Sequence, residues 1–269
     1  MRCGEDAEWP FLRLDRNAAV HTLAKMRNLY LGEIMIDFWI GTGISVLYIA
    51  ICAGVMLTVR VLTKIPDELF RKILHFVLLG AYIPLLYAFR VWWHSVIFVA
   101  SLAVILYPVL YFCAKIPKFS EFVNERRGGE FKSSMLLALG VMLVSTAVCW
   151  GLLDDKLMTL ACVYAWGVGD AFAALVGKRW GRHKIKWKIA DGKKSYEGSL
   201  AMLVSAFVSV LTVLLVRGGV NPFVAVLTAL IAAVAVTFIE LVTSGGFDTV
   251  TCPAAALAII IPMVYLFGG

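Results

Sequence analysis

The stretch Leu157-Met158-Thr159-Leu160-Ala161-Cys162-Val163-Tyr164-Ala165-Trp166-Gly167-Val168-Gly169-Asp170-Ala171-Phe172-Ala173-Ala174-Leu175-Val176-Gly177 is apolar for one bilayer's thickness and carries a single carboxylate. It runs on as Lys178-Arg179-Trp180-Gly181 and, after a Lys-rich connection, as Lys193-Lys194-Ser195-Tyr196-Glu197-Gly198. An acid inside a membrane span is expensive and usually serves a function. Lysines beside Gly and Ser just outside the membrane suit a bound phosphate. The two together point to an enzyme that handles a phosphorylated soluble substrate at a membrane surface.

Working outward, similar apolar runs recur along all 269 residues, 61% of which are hydrophobic. Eight spans are predicted, at 34–59, 73–89, 92–114, 133–153, 157–177, 198–216, 222–242 and 250–268. The second is short, which suggests tilt or partial re-entry. The expected fold class is therefore all-α, a polytopic membrane helix bundle forming a single transmembrane catalytic domain over 34–269. Residues 1–33 are polar and mixed in charge, with no cleavable signal pattern and a weak amphipathic surface helix at 17–30. No second soluble domain is visible. The six cysteines, Cys3, Cys52, Cys113, Cys149, Cys162 and Cys252, form no CxxC pair and lie mostly in apolar runs. They read as small buried hydrophobes.

The net charge of +7 does not imply nucleic acid, because the basic residues gather in loops between spans. Arg60, Lys64, Arg71 and Lys72 lie between spans one and two. Lys115, Lys118, Arg126, Arg127 and Lys132 lie between three and four, and Lys178, Arg179, Arg182, Lys184, Lys186, Lys188, Lys193 and Lys194 between five and six. The alternate loops hold Arg90, Lys156 and Arg217, one each. The positive-inside rule puts the rich loops in the cytoplasm and both termini outside. Anionic headgroups and a phosphorylated substrate are the partners this distribution favours.

Every cluster with chemical promise falls on that same face. Arg71, Lys72 and His75 stand at the mouth of span two, with Arg71 and His75 on one helical face. Glu130 and Lys132 lead into span four. Glu240 closes span seven, followed by Gly245-Gly246-Phe247-Asp248 and Pro253. Bland readings exist for several of these. Arg71 and Lys72 suit membrane anchors, His75 an interfacial histidine, 125–132 a solvated loop and Asp248 an Asx-turn. Asp170, two turns inside span five, is the hardest to explain structurally. Small residues recur every fourth position in span five (Ala161, Ala165, Gly169, Ala173, Gly177) and in span seven (Ala225, Ala229, Ala233, Thr237). These rows predict that spans five and seven pack together and bring Asp170 and Glu240 to one metal-binding pocket.

Familiar soluble signatures are absent. There is no GxxxxGK[ST] loop, no HExxH and no GxSxG, and Gly167-Val168-Gly169 lacks a third glycine. What does match is Asp170-x-x-Ala173-x-x-x-Gly177-x-x-x-Gly181 followed by Lys193-Lys194-Ser195-x-Glu197-Gly198. This resembles the nucleotide-binding signature of the CTP-dependent polyprenol kinases, the group of dolichol kinase, phytol kinase and CTP-dependent diacylglycerol kinase, related to phosphatidate cytidylyltransferases. Arg71-Lys72-x-x-His75, Glu130 with Lys132, and Glu240 with Gly246-x-Asp248-x-x-x-x-Pro253 are similar too, in the expected order. Thr249 stands where Asn is expected after Asp248, and Ser195 conservatively replaces Thr.

The resemblance implies transfer of the γ-phosphoryl group of CTP to the hydroxyl of a membrane lipid alcohol: a polyprenol, a phytol-like isoprenoid alcohol or diacylglycerol. It implies nucleotide binding by Gly177, Lys178, Gly181, Lys193, Lys194, Ser195, Glu197 and Gly198, assisted by Arg71, Lys72, Glu130 and Lys132. Asp170, Glu240 and Asp248 would hold Mg²⁺ as cofactor, with Asp170, Glu240 and His75 as catalytic candidates and the proton acceptor open among them. Two other functions fit the composition. A cytidylyltransferase would use CTP but release pyrophosphate. An ion-coupled transporter would also use intramembrane acids, although these charges sit at one face and no inverted repeat is evident.

Overall fold

Polar side chains cap the starts of spans five, six and seven. Asp155 accepts from the Met158 amide at 2.9 Å to start one span, and Ser195 accepts from the Gly198 amide at 3.2 Å to start the next. Asn221 accepts from the Phe223 amide, with Pro222 in the first turn where its missing N–H is harmless. The computed structural model describes residues 16–63, 65–113, 115, 130–185, 194–243 and 246–268. Among these, eight helices are long and apolar enough to cross a membrane: Gly32–Leu62, Leu69–Tyr87, Trp92–Phe112, Ser133–Leu152, Lys156–Trp180, Tyr196–Arg217, Pro222–Val242 and Asp248–Phe267. No strand occurs among the described residues; an isolated bridge pairs Lys184 with Ser195. The chain is an all-α, multi-pass membrane bundle.

Two departures from the sequence reading are local. The helix that forms span one starts at Arg16 and runs unbroken to Leu62, so the 17–30 segment is its extension. Span two is one helix from Asp67 to Gly80, a turn at Ala81, and a short helix from Tyr82 to Tyr87 containing Pro84. Proline removes a backbone donor and crowds the preceding turn, which accounts for the interruption.

Spans five to eight form the tight half of the bundle. The spacing predicts that the small-residue row of span five packs on span seven, and the structure differs. The row packs on span six, where Gly169 lies against Met202 and Ala206, and Gly177 against Ser195 and Gly198. Span eight fills between five and seven, and Ala225, Ala229 and Ala233 of span seven are buried against spans six and eight. A small-xxx-small row says that some helix approaches closely but not which one. Span two lies on span five, where Leu79 occupies the space that a side chain at Gly167 would need. Large exposed apolar residues such as Val204, Val208, Leu230 and Phe238 cover the outward faces, as lipid contact requires. Cys52, Cys149, Cys162 and Cys252 are free thiols.

At the end of the bundle away from Asp170 and Glu240, charges are neutralised locally. Arg217 Nε meets Asp155 Oδ2 at 2.5 Å, and the Tyr265 hydroxyl donates to the same oxygen at 3.3 Å. The Lys156 ammonium stands 4.0 Å from the Trp150 ring centre, and His94 Nδ1 meets Asp37 Oδ2 at 3.0 Å. These groups satisfy one another where they stand.

Candidate active site

At the opposite end, spans two, five, six, seven and eight surround a pocket of about 450 Å³. Its wall includes Arg71, Asp170, Gly177, Lys178, Lys184, Lys194, Ser195, Gly198, Glu240, Gly246 and Asp248. Residues scattered over 178 positions of sequence thus meet at one site. The three carboxylates act on one another electrostatically, so each raises the need for cations nearby.

Two lysines answer that need. Lys72, 8% exposed, reaches from span two to Asp170, with Nζ 2.7 Å from Oδ2. Lys194 Nζ lies 2.9 Å from Glu240 Oε1; it also donates to the Glu240 carbonyl oxygen and, at 3.0 Å, to the Thr243 carbonyl oxygen. It therefore caps the C-terminal turn of span seven as well as pairing its acid. Asp248 begins span eight, where the helix dipole favours a negative charge, and Gly246 before it has φ 86°, a conformation that L side chains rarely adopt.

The described ends of the basic loop pair with each other. The Ile185 amide donates to the Lys194 carbonyl oxygen at 3.0 Å, and the Tyr196 amide to that of His183 at 3.1 Å. This pairing carries Lys184 to the pocket wall beside Lys194. Glu197 stands outside the pocket: it accepts from the amides of Arg182 and His183 at 3.2 and 3.1 Å and contacts His183 Nδ1 at 2.7 Å, which shapes the turn. His75 is absent from the wall too. Its Nε2 is 2.9 Å from the Gly167 carbonyl oxygen and 4.0 Å from Asp170, and its ring meets Trp166 edge-on, so it supports Asp170 from behind. Lys193 and the side chains of Glu130 and Lys132 lie outside the described residues.

Glycine permits the close approach that builds the floor. A Cβ on Gly198 would fall 2.9 Å from the Ala173 carbonyl oxygen and 3.2 Å from the Gly177 Cα, both backbone atoms that cannot turn aside. A Cβ on Gly177 would meet first the Ser195 hydroxyl, at 3.2 Å, a side chain with some freedom. Gly198→Ala is accordingly expected to destabilise the protein by about 1–3 kcal/mol and Gly177→Ala by clearly less. Thermal unfolding of the detergent-solubilised variants checks the order, and equal shifts would contradict it.

The donor set bears on a metal. Among the described residues, no three His, Cys, Asp or Glu side chains stand close enough to hold an ion unaided. Mg²⁺ seldom needs that; it is usually bound by one or two carboxylates together with substrate phosphates and water. Acids and lysines around one cavity fit an ion that arrives with a polyphosphate. Sequence reading did not single out Lys184 or Ser199 as wall residues, and it gave Lys72 to the nucleotide where the structure gives it to Asp170. The pairing of the loop's ends is the signal for Lys184, and nothing in local spacing encodes it.

Comparison with known proteins gives the family. The model of the cytidylyltransferase family matches residues 27–245. The phytol kinase of Synechocystis sp. is 30% identical over 248 residues, covering 87% of this chain and 96% of that protein. No solved structure matches at a significant level. With most of its length matched to both, and with the Asp170–Gly198 signature around the pocket, the chain belongs to the cytidylyltransferase family and, within it, to the CTP-dependent polyprenol and phytol kinase group.

Proposed function

We propose that the protein is a CTP-dependent lipid kinase that transfers the γ-phosphoryl group of CTP to the hydroxyl of a membrane lipid alcohol. The observation that carries this reading is the meeting of Asp170, Glu240 and Asp248 with Arg71, Lys178, Lys184 and Lys194 around one cavity at the end of the bundle. Phosphoryl transfer asks little covalent chemistry of a protein and much charge neutralisation and alignment. The name of the Synechocystis relative supports the alcohol acceptor. The basic loops support a cytoplasmic location for the site.

In this reading, Lys194, Lys178 and Lys184 hold the triphosphate oxygens, with Lys193 adding charge from the same loop. The amide-paired Ser195 fixes the start of span six beneath them. Asp170, with Glu240 or Asp248, would hold Mg²⁺, which supplies neutralisation of phosphate charge when bound. Lys72 pairs with Asp170 and aims it, and His75 supports it from behind. The alcohol oxygen attacks the γ-phosphorus as the bond to the β–γ bridging oxygen breaks; CDP leaves, and the hydroxyl proton passes to a carboxylate of the pocket.

One observation favours a second reading: the matching family model is that of cytidylyltransferases. Such an enzyme would join CMP to a phospholipid and release pyrophosphate. Purified protein incubated with γ-labelled CTP, a panel of lipid alcohols and, in parallel, phosphatidate separates the two. The kinase moves label into lipid and yields CDP, whereas label in pyrophosphate would overturn the proposal. Repeating the assay with ATP tests donor choice, which is expected to favour CTP.

A further inference from the structure

The end of the bundle away from Asp170 carries a second polar depression. It is an open dish whose wall includes Tyr87, Trp150, Asp154, Lys156, Arg217 and Gly219. Tyr87 closes span two, Lys156 opens span five and Arg217 closes span six. Three span ends on one wall put the dish at the depth of lipid headgroups, where Tyr and Trp rings also gather. Leu152, two residues from both Trp150 and Asp154, is 79% exposed, as a lipid-facing rim requires.

Charge is balanced in the dish, but hydrogen-bonding capacity is not used up. One oxygen of Asp155, which also lines the wall, accepts from the Met158 amide, and the other accepts from Arg217 Nε and the Tyr265 hydroxyl. That acid is fully engaged. Arg217 Nη1 donates to the Gly218 carbonyl oxygen at 3.1 Å, whereas Nη2 bonds to no described residue. Lys156 gives one N–H to the Phe89 carbonyl oxygen at 3.3 Å and stands 4.0 Å from the Trp150 ring centre. An ammonium has three donors, so Lys156 too has some to spare. Asp154 is exposed, makes no hydrogen bond to a described side chain and acts on Lys156 electrostatically. Two acids and two bases leave the wall neutral, with open donors on Lys156 and Arg217 and an open acceptor on Asp154. A neutral wall with its valences divided in this way is complementary to a zwitterion.

We infer that this dish binds the headgroup of a zwitterionic phospholipid that carries a primary amine. The phosphate meets the spare N–H groups of Lys156 and Arg217, and the ammonium donates to Asp154. A trimethylated amine has no N–H for Asp154, and a glycerol headgroup brings no cation, so neither completes the set. The wall joins spans two and four to spans five and six. A bound headgroup therefore ties the tight half of the bundle to the rest and stabilises the fold by mass action.

The test uses the full-length protein, delipidated in detergent and titrated with dioleoyl phospholipids bearing ethanolamine, choline or glycerol headgroups. Native mass spectrometry counts the bound lipid, and thermal unfolding reads the stabilisation. The ethanolamine lipid is expected to bind about tenfold more tightly than the other two and to raise the unfolding midpoint most. Asp154→Asn suits the φ of 53° at that position and is expected to abolish the preference over choline. Lys156→Met keeps a flexible stem against the Trp150 ring and is expected to weaken the ethanolamine lipid about tenfold. Equal binding of the three lipids, tightest binding of the glycerol lipid, or a preference that survives both substitutions would overturn the inference. Equal stabilisation by soluble glycerophosphoethanolamine would put a free zwitterion in place of the lipid and overturn it as well. None of these readouts needs turnover, so the result stands apart from the kinase reading.

Discussion

Asp170→Asn is expected to lower CTP-dependent phosphorylation of a lipid alcohol by about a thousandfold, the scale on which preorganised charge acts in phosphoryl transfer. The substitution keeps shape and removes the charge that faces the pocket. It also strands the Lys72 ammonium, which is 8% exposed and has its carboxylate partner 2.7 Å away. Removing one member of such a pair destabilises a protein by about 3 kcal/mol, the lower part of the usual range because the Asp170 side chain keeps 20% exposure. Loss of activity in the single variant would thus mix chemistry with misfolding. The double variant Asp170→Asn/Lys72→Met separates them, since an amide beside a thioether leaves no unpaired charge. Its thermal midpoint in detergent is expected to return most of the way to wild type while activity stays lost. A double variant that regains activity, or a single variant that never loses it, removes Asp170 from the mechanism.

That design depends on a contact that no sequence pattern discloses, because Lys72 and Asp170 lie 98 positions apart. What the sequence does disclose follows from the bilayer. A span needs about 20 apolar residues and has no water to satisfy its backbone, so composition alone fixes the helices and nearly all their limits. All eight spans stand close to their predicted positions, with the largest difference at span two, where Pro84 and the turn at Ala81 divide the helix. The cost of an intramembrane acid likewise singles out Asp170 and Glu240 before any geometry is known. Helix choice is another matter. The Ala161–Gly177 row advertises a close neighbour, and its partner proves to be span six, with Gly198 supplying the matching small surface. Glu197 illustrates the same limit: its place in the signature suggests the nucleotide, whereas its hydrogen bonds hold the 182–183 turn. Residue type and spacing report that a group matters, and only the packing of distant segments decides what it touches.

Lys194 is where nucleotide binding and structure are most tightly joined, and Lys194→Met is expected to weaken CTP binding about a hundredfold. A charge-assisted hydrogen bond contributes about 1.5–3 kcal/mol, and each 1.4 kcal/mol is a factor of ten. The same ammonium pairs Glu240 at 2.9 Å and caps the carbonyl oxygens of Glu240 and Thr243, so a purely structural loss would also reduce binding. Comparing CTP, CDP and CMP tells the two apart. If Lys194 meets the terminal phosphates, wild-type affinity falls steeply from CTP to CMP and the variant flattens that series, with CMP binding almost unchanged. If Lys194 serves only to cap span seven and neutralise Glu240, all three nucleotides weaken by the same factor. Lys194→Arg sharpens the contrast, because it keeps the charge but replaces a compact ammonium by a planar fork that cannot reach two carbonyls and a carboxylate in the same space. It is expected to retain part of the preference for CTP over CMP while losing thermal stability. Equilibrium binding of labelled nucleotides, measured beside thermal unfolding, reads both quantities from one preparation. A uniform loss across the series would move Lys194 out of the nucleotide site.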